Sequence, residues 1–285
     1  MTETPPIALS PTAALATSDF LTQLHELANR LNETDLRPCP EVNEAFGRLV
    51  ELCTVIDDHL TGQVLRDPAA APLIASLRAV SSRGESELER AWARSVISAD
   101  NPWAELRHFP YLGNYQRLVR FELAGLAAVG AEPPRSTVVL GAGPLPLTGL
   151  VLARDHGVRV TNVDHDAEAC ELGSDLVRAL GLEAKVDTVC DDARGAADLP
   201  AVALSDTVLL AALAGSDGAA KRDITRPLAH AMRPEAHLLT RSAHRLRTAL
   251  YPEVSPDDLE GFTTLVEMHP CDDVVNSVLI ARPAV

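Results

Sequence analysis

Residues 138–153 read VVLGAGPLPLTGLVLA. An apolar run that suits a buried strand leads into a turn containing Gly141 and Gly143, and an apolar segment of helical character follows. Glycine lets a backbone approach a ligand closely because it has no Cβ. The stretch therefore predicts a strand, a ligand-binding turn and a helix, which is the first unit of a parallel α/β sheet.

Seven short apolar segments each predict a strand, and helical patterns separate the first five. Strands that alternate with helices favour a parallel sheet covered on both faces. Only "CDDVV" separates the last two segments, which indicates an antiparallel hairpin at one end of the sheet. The fold class is therefore α/β and Rossmann-like, with the terminal hairpin that is common among S-adenosylmethionine (SAM) enzymes. The seven segments are TVVLGAG, VRVTNVD, AKVDTVC, DTVLLAAL, AHLLTRSA, TTLVEMHP and NSVLIAR.

The sequence before residue 136 contains helical patterns and no convincing strand. In "SDFLTQLHELANRLNE", leucines recur at helical spacing, with Ser18 or Asp19 as the expected N-cap after a loose tail of about sixteen residues. The proline pair in "AEPPRS" marks a boundary. We therefore predict a helical domain over residues 1–130 and a Rossmann-like SAM-binding domain over residues 131–285.

Composition excludes several classes of function. The 285 residues are 46% hydrophobic and 23% charged, as in ordinary folded proteins, and carry a net charge of -15 that disfavours nucleic acid and anionic membranes. The five cysteines form no C-x-x-C pair, and "HPCDD" has no further spaced ligands, so neither a disulfide framework nor a metal site is expected. With no leader or membrane segment predicted, the expected compartment is the cytoplasm.

The glycine turn favours a nucleoside over a dinucleotide. Pro144 and Pro146 reduce the number of N–H groups available to a phosphate, and Pro146 stands where a dinucleotide fingerprint has its third glycine. Asp164 ends the second strand, where a carboxylate accepts hydrogen bonds from ribose hydroxyls. Asp191 or Asp192, after the third strand, could meet an adenine amino group. This combination fits SAM better than NAD, whereas Asp166 is read as a helix N-cap.

Five segments together resemble the nicotianamine synthase family, which includes bacterial enzymes of opine-type metallophore synthesis. The resemblance runs from about Glu85 to Arg282, and the motifs occur in the same order. The family's chemistry implies that SAM is the substrate and that its 3-amino-3-carboxypropyl (aminobutyryl) group, not its methyl, is transferred to an amine. The five segments are NPWAELRHFPYLGNYQRL, GAGPLPLTGLVLA, LLAALAG, RSAHRLRTALYPEV and HPCDDVVNSVLIAR.

The resemblance also implies roles for individual residues. Glu85 of the E-x-x-L-E pattern would bind or deprotonate the reacting amine, and Tyr111 would orient it, with Tyr115 in reserve. Arg241 and Ser242 would reach the aminobutyryl carboxylate. The predicted SAM-binding set is Gly141, Gly143, Pro144, Leu145, Asp164, Asp191, Asp192, Ala211, Arg241 and Ser242, and the predicted acceptor pocket is Glu89, Leu112, Tyr115, His244 and Tyr251. Blander interpretations stay open: a solvated helix face for Glu85, a surface ion pair for Arg241 and plain packing for the tyrosines.

Departures from the family pattern leave the reaction open in part. Leu112 replaces the second aromatic residue of "FPYY", and Cys271 stands in "HPCD" where the family has "HPTD". The leading hypothesis is transfer to an amino acid such as histidine in metallophore biosynthesis. Its close rival is cyclisation of SAM to azetidine-2-carboxylate, and methyl transfer or SAM sensing without catalysis are further alternatives. The acceptor, the number of transfers and the oligomeric state, a homodimer included, stay open.

Overall fold

The computed structural model describes residues 11–215 and 217–284, with side chains described from residue 17 onward. Helices fill the described chain before residue 129, and the expected strands all follow. The N-terminal helices are α1 (Pro11–Glu33), α2 (Pro40–Cys53), α3 (Asp58–Arg66), α4 (Ala70–Ser98), α5 (Pro102–Leu106) and α6 (Leu112–Ala128).

Helix α1 begins earlier than the sequence pattern predicts. It starts at Pro11, so Ser18 and Asp19 lie inside the helix and the predicted N-cap at either residue is wrong. The alanine-rich residues 11–16 have high helix propensity, and proline suits a first helical turn. The rest of the predicted tail, residues 1–10, lies outside the described residues.

All seven predicted strands are present and join one sheet in the order β3-β2-β1-β4-β5-β7-β6. The first five are parallel, and β7 pairs antiparallel with both β5 and β6, so the predicted fold class and terminal hairpin are confirmed. The strands are β1 (Ser136–Leu140), β2 (Arg159–Asp164), β3 (Val186–Cys190), β4 (Thr207–Leu210), β5 (His237–Ser242), β6 (Phe262–Met268) and β7 (Ser277–Pro283). The connecting helices are α7 (Leu147–Asp155), α8 (Ala167–Ala179), α9 (Pro200–Leu204) and α10 (Gly218–Ala231).

Helices cover both faces of the sheet, which explains why its central strands are apolar without interruption. Val139 enters a core shared with α6, α7 and α8, while its neighbours Val138 and Leu140 enter a separate core against α10. Strand β6, at the sheet edge, instead alternates half-buried and exposed residues. These patterns follow from the alternation of side chains along a strand.

Helix α4 connects the helical part to the sheet. Its first half contributes Leu73 and Leu77 to a core of N-terminal helices, which also contains Leu250 from the segment after β5. Its second half contributes Ala93 and Val96 to the core beneath the sheet. The predicted boundary at residue 130 lies between α6 and β1, but the two parts share packed side chains on both sides of it.

Gly84, next to Glu85 on α4, packs so closely on α2 that a side chain does not fit. A Cβ at residue 84 would lie 2.2 Å from the Phe46 ring, whereas a Cβ at Gly47 of α2 would meet nothing within 4 Å. We expect Gly84→Ala to lower the free energy of unfolding by about 1–2 kcal/mol, because overpacking outweighs the gain in helix propensity. Gly47→Ala should raise it by about 0.5–1 kcal/mol. Urea unfolding measures both; equal stabilisation by the two variants would contradict this packing.

Candidate active site

A cavity of about 530 Å³ lies at the carboxyl ends of the parallel strands, beneath α4. Its volume falls within the roughly 300–1,000 Å³ of small-molecule sites. The sheet contributes the ends of β1, β2, β3 and β4, and α4 contributes Glu85 and Glu89 from above. This is the position at which an open α/β sheet binds its ligand.

The glycine turn after β1 forms one wall of the cavity. Gly141 and Gly143 both have positive φ, 77° and 71°, and Pro144 and Leu145 continue the wall before α7. The N–H of Gly143 donates to Asp164 Oδ2 at 2.8 Å. A Cβ on residue 143 would lie 2.6 Å from Glu89 Oε2, so the Glu89 side chain would have to shift, and the positive φ of residue 143 independently favours glycine.

Acidic side chains line the cavity at the ends of β2 and β3. Asp164 is fixed by the N–H groups of Gly143 and Asp166, and lone pairs on its two oxygens remain free to accept hydrogen bonds. Asp191 accepts from the N–H of Asp192, whose own carboxylate bonds to Arg194. The Arg194 guanidinium holds the pKa of the Asp192 carboxyl well below its usual range. Asp191 is therefore freer than Asp192 to meet a ligand.

At the other end of the cavity, two tyrosine hydroxyls face Glu85. The Tyr251 hydroxyl donates to Glu85 Oε1 at 3.0 Å, and that of Tyr115 lies 3.5 Å from the same oxygen. Burial raises the pKa of Glu85, although the Tyr251 hydrogen bond and the Arg241 charge partly counteract it. Burial also raises the pKa of Glu89 well above its usual range, and the negative charges of Glu85 and Asp164 raise it further. The site therefore contains a carboxylate able to accept a proton, beside a second that favours its neutral form.

Arg241 lines the same end of the cavity but is held from behind by a buried ion pair. Its Nε donates to Glu122 Oε1 at 2.7 Å, and its Nη2 donates to Thr148 Oγ1 at 2.8 Å. Arg241 is 5% exposed and Glu122 is 2% exposed. Arg241 thus forms an ion pair, but with the buried Glu122 and not at the surface as considered from the sequence. This pair fixes the guanidinium at the cavity wall.

The structure places Tyr111 and Leu112 outside the described residues that line the cavity. Tyr111 packs edge-on against Phe109, with ring centroids 5.9 Å apart, and makes no hydrogen bond to Glu85 among the described side chains. Leu112, the first residue of α6, packs against the core beneath the sheet. Tyr115 projects into the cavity because it lies one helical turn further along α6, so the reserve candidate, not Tyr111, contacts Glu85.

Ser242 and His244 are not among the described residues that line the cavity, although the sequence predicted ligand contacts for both. Consecutive residues of a strand point to opposite faces, and Arg241 already faces the cavity. Ser242 Oγ instead accepts from the N–H of Val254 at 2.8 Å. His244 stacks on His269, with centroids 4.0 Å apart, and its Nδ1 lies 3.2 Å from Ser277 Oγ. Burial and the nearby His269 lower the pKa of His244 to about 4.

The remaining predicted residues all line the cavity: Gly141, Gly143, Pro144, Leu145, Asp164, Asp191, Asp192, Ala211, Arg241, Glu85, Glu89, Tyr115 and Tyr251. Sequence reasoning gave no role to two residues of this region, Glu122 and Asn276. A signal existed for Glu122, because it shares the helical register of the buried Leu118, Val119 and Leu126. A carboxylate at such a position requires a cationic partner. Asn276 stood within a quoted motif, but nothing in its spacing indicated a role.

Among the described residues, no group of three His, Cys, Asp or Glu side chains could hold a metal ion. No helix of the described part of the chain combines the length and the apolar character needed to cross a bilayer.

Comparison with known proteins gives consistent matches along almost the whole chain. The family model described as "Nicotianamine synthase protein" matches residues 15–285. Nicotianamine synthase 2 of Arabidopsis thaliana is 35% identical over 91% of this chain and 82% of its own length. Nicotianamine synthase 9 of Hordeum vulgare is 38% identical over 87% of this chain and 73% of its own.

Solved structures agree with these matches. The crystal structure of MtNAS in complex with MTA and tNA has a TM-score of 0.81 and 25% identity, and covers 93% of this chain and 98% of its own. The crystal structure of a glutamate-to-glutamine mutant of MtNAS in complex with S-adenosylmethionine gives 0.79 and 26%, with the same coverage.

The buried Arg241–Glu122 pair should contribute far more to folding than an exposed pair. Glu122→Ala leaves a buried guanidinium without its counter-charge, and we expect a loss of about 3–5 kcal/mol in the free energy of unfolding. Glu260→Ala breaks the exposed pair with Arg226 and should cost at most about 1 kcal/mol. Urea unfolding compares the two variants, and similar losses would show that the buried pair is not structurally important.

Proposed function

We propose which acceptor and product belong to this chain, a member of the nicotianamine synthase family and a SAM-dependent aminobutyryl transferase. The acceptor is the amine of an amino acid, and the product is a metal-binding small molecule. One observation carries this proposal: the cavity joins a nucleoside-sized acidic wall at Asp164 and Asp191 to a buried carboxylate, Glu85, that two tyrosine hydroxyls hold.

The sheet side of the cavity suits the nucleoside of SAM. Asp164 is positioned by two backbone N–H groups and retains acceptor capacity for ribose hydroxyls. Pro144 and Pro146 supply no N–H groups, so the turn lacks the row of donors that a phosphate requires. A thioether-linked nucleoside carries no phosphate, and it matches this wall.

The helical side of the cavity suits an attacking amine. In the proposed step, an uncharged amine nitrogen forms a bond to the γ-carbon of the aminobutyryl group as the bond from that carbon to sulfur breaks. The bonding electron pair passes to sulfur, so the sulfonium becomes the neutral thioether of methylthioadenosine. The amine nitrogen gains a positive charge and loses a proton to Glu85. Free amines are mostly protonated at neutral pH, so a nearby carboxylate that accepts the proton is needed.

Orientation decides which of the three carbons on the sulfonium reacts. The methyl group is the least hindered, so the amine must be held in line with the longer arm and away from the methyl. Fixing two reactants in one geometry can supply about 7–11 kcal/mol of a barrier, which is ample for such a choice. In this structure, Tyr115 and Tyr251 fix Glu85 from two elements, α6 and the segment after β5. We assign the orienting role, first expected for Tyr111, to these two tyrosines.

The proposed product explains a role in metal binding. Each transfer adds an amine and a carboxylate to the acceptor, and nitrogen and oxygen donors on one flexible molecule are suitable ligands for divalent transition metals. An amino acid with an imidazole would add a further nitrogen donor. The cyclisation alternative was motivated by Leu112, and this residue lies outside the cavity wall.

The catalytic role of Glu85 can be tested directly. Glu85→Gln keeps the size of the side chain but removes its basicity, so we expect the rate of methylthioadenosine release from SAM to fall by about 10²- to 10⁴-fold. Glu87→Gln, two residues away and outside the main cavity, is the matched control and should retain nearly full activity. The assay follows SAM and methylthioadenosine by chromatography with each amino acid present in turn.

The mass of the second product distinguishes the alternatives. An aminobutyryl adduct of an amino acid supports the proposal, whereas azetidine-2-carboxylate formed from SAM alone would replace it with cyclisation. Adenosylhomocysteine would indicate methyl transfer. Binding of SAM without consumption, unchanged in Glu85→Gln, would indicate a sensor.

The pH dependence of the reaction should separate the three tyrosines. Because Glu85 must be ionised and burial raises its pKa above the usual range of a glutamate, kcat/KM should fall as the pH drops through that raised pKa. The Tyr251 hydrogen bond favours the ionised form, so Tyr251→Phe should raise the pKa and move the acid limb to higher pH. Tyr115→Phe should act in the same direction more weakly. Tyr111→Phe should leave the limb in place; a shift in that variant alone would restore Tyr111 to the orienting role.

A further inference from the structure

Asn276 lies at the cavity on the same face of the sheet as Arg241. Strands β5 and β7 are antiparallel, and Arg241 is directly opposite Val278. Asn276 is two residues before Val278, so the alternation of side chains places it on that same face, as a diagonal neighbour of Arg241. Both residues line the cavity. Arg241 also lies over the Tyr115 ring, with its guanidinium carbon 5.8 Å from the ring centroid, which places the two residues at the Glu85 end.

The Nδ2 atom of Asn276 is buried without a partner among the described residues. The residue is 7% exposed, and its Nδ2 makes no hydrogen bond to any described residue. Burying an amide without a partner is unfavourable, so such groups in folded proteins normally bond to protein, water or ligand. A carboxamide can exchange the directions of its N and O by rotation of its terminal torsion. The orphaned group is therefore available to a ligand in the cavity.

Arg241 alone does not complete an anion site. Glu122 balances its charge, and its Nε and Nη2 are already engaged by Glu122 and Thr148. Its Nη1 makes no hydrogen bond within the described part of the chain. Because Glu122 balances the guanidinium charge, a single free nitrogen of Arg241 binds a carboxylate only weakly. A second hydrogen-bond donor beside Arg241 strengthens the site.

We infer that Asn276 and Arg241 together bind the α-carboxylate of the aminobutyryl arm of SAM, with Asn276 Nδ2 donating to one oxygen. This inference rests on the proposed function and assigns a further binding residue to it. Arg241 lies on β5 and Asn276 immediately precedes β7, so both donors are attached to the sheet that forms the nucleoside wall. The two donors therefore keep a fixed position relative to the nucleoside wall, and SAM contains both the nucleoside and the aminobutyryl arm.

Binding of two probes by calorimetry tests the inference, because methylthioadenosine contains the nucleoside and sulfur of SAM but lacks the arm. Asn276→Ala should weaken SAM binding by about 10- to 100-fold, as expected for a hydrogen bond to a charged group, and change methylthioadenosine binding by less than about twofold. The matched control is Asn162→Ala. Asn162 is a buried, unpartnered asparagine of β2 that does not line the cavity, and its loss should leave both affinities unchanged.

A second variant keeps the test decisive if Asn276→Ala folds poorly. Asn276→Asp keeps the shape of the side chain but places a negative charge against the carboxylate, so it should weaken SAM more than Asn276→Ala does and still bind methylthioadenosine normally. SAM binding as tight as that of the unmodified protein in either Asn276 variant would overturn the inference. Equal loss of both ligands would also overturn it, since that indicates a structural role. If the unmodified protein binds neither probe, the proposed function itself fails.

Discussion

The close approach of α4 to the glycine turn is the contact on which the site depends. The Glu89 carboxylate lies so close to Gly143 that a Cβ at residue 143 would come within 2.6 Å of Oε2 and displace it. The two turns of α4 that contain Glu89 also contain Glu85, which lies over the cavity, and Arg90. The Arg90 guanidinium forms an ion pair with Asp166, the N-cap of α8, at 2.7 Å. Helix and sheet are thus joined by apolar packing at Ala93 and Val96 and by ion pairs at the rim. Without this junction the cavity would be an open edge, and the carboxylates would be solvated.

The charge distribution around the cavity fits a cationic substrate that becomes a neutral product. SAM carries a sulfonium, and the chain has a net charge of -15, with Asp164, Asp166 and Asp191 along one wall. A negative field of this kind raises the local concentration of a cation. Transfer of the arm removes the sulfonium charge, so the attraction to the spent nucleoside falls. The buried pair of Arg241 and Glu122 adds no net charge, and it therefore fixes a donor at the wall without repelling the sulfonium.

Sequence patterns predicted the sheet well because apolar runs and glycine turns are local signals. The seven strands, the antiparallel end and the acids after β2 and β3 all follow from such signals. The errors arise where the direction of a side chain matters. Arg241 and Ser242 are consecutive on a strand, so their side chains point to opposite faces, and Arg241 lines the cavity whereas Ser242 does not. Tyr111 and Tyr115 differ by one helical turn. The helical register of Glu122 predicts a buried carboxylate that requires a cation, but not which cation, because Arg241 is far away in sequence. No local pattern predicts the position of Asn276.

The insertion of β7 between β5 and β6 has a consequence for how the molecule is made. This strand follows the others in the chain, yet it occupies an interior position and pairs on both sides. A ribosome therefore releases six strands before the seventh can bridge them, and until then β5 presents an unpaired edge and β6 has no neighbour. Asn276 immediately precedes this bridging strand. Pairing of β7 with β5 therefore completes the sheet and brings Asn276 to the ligand wall in one step.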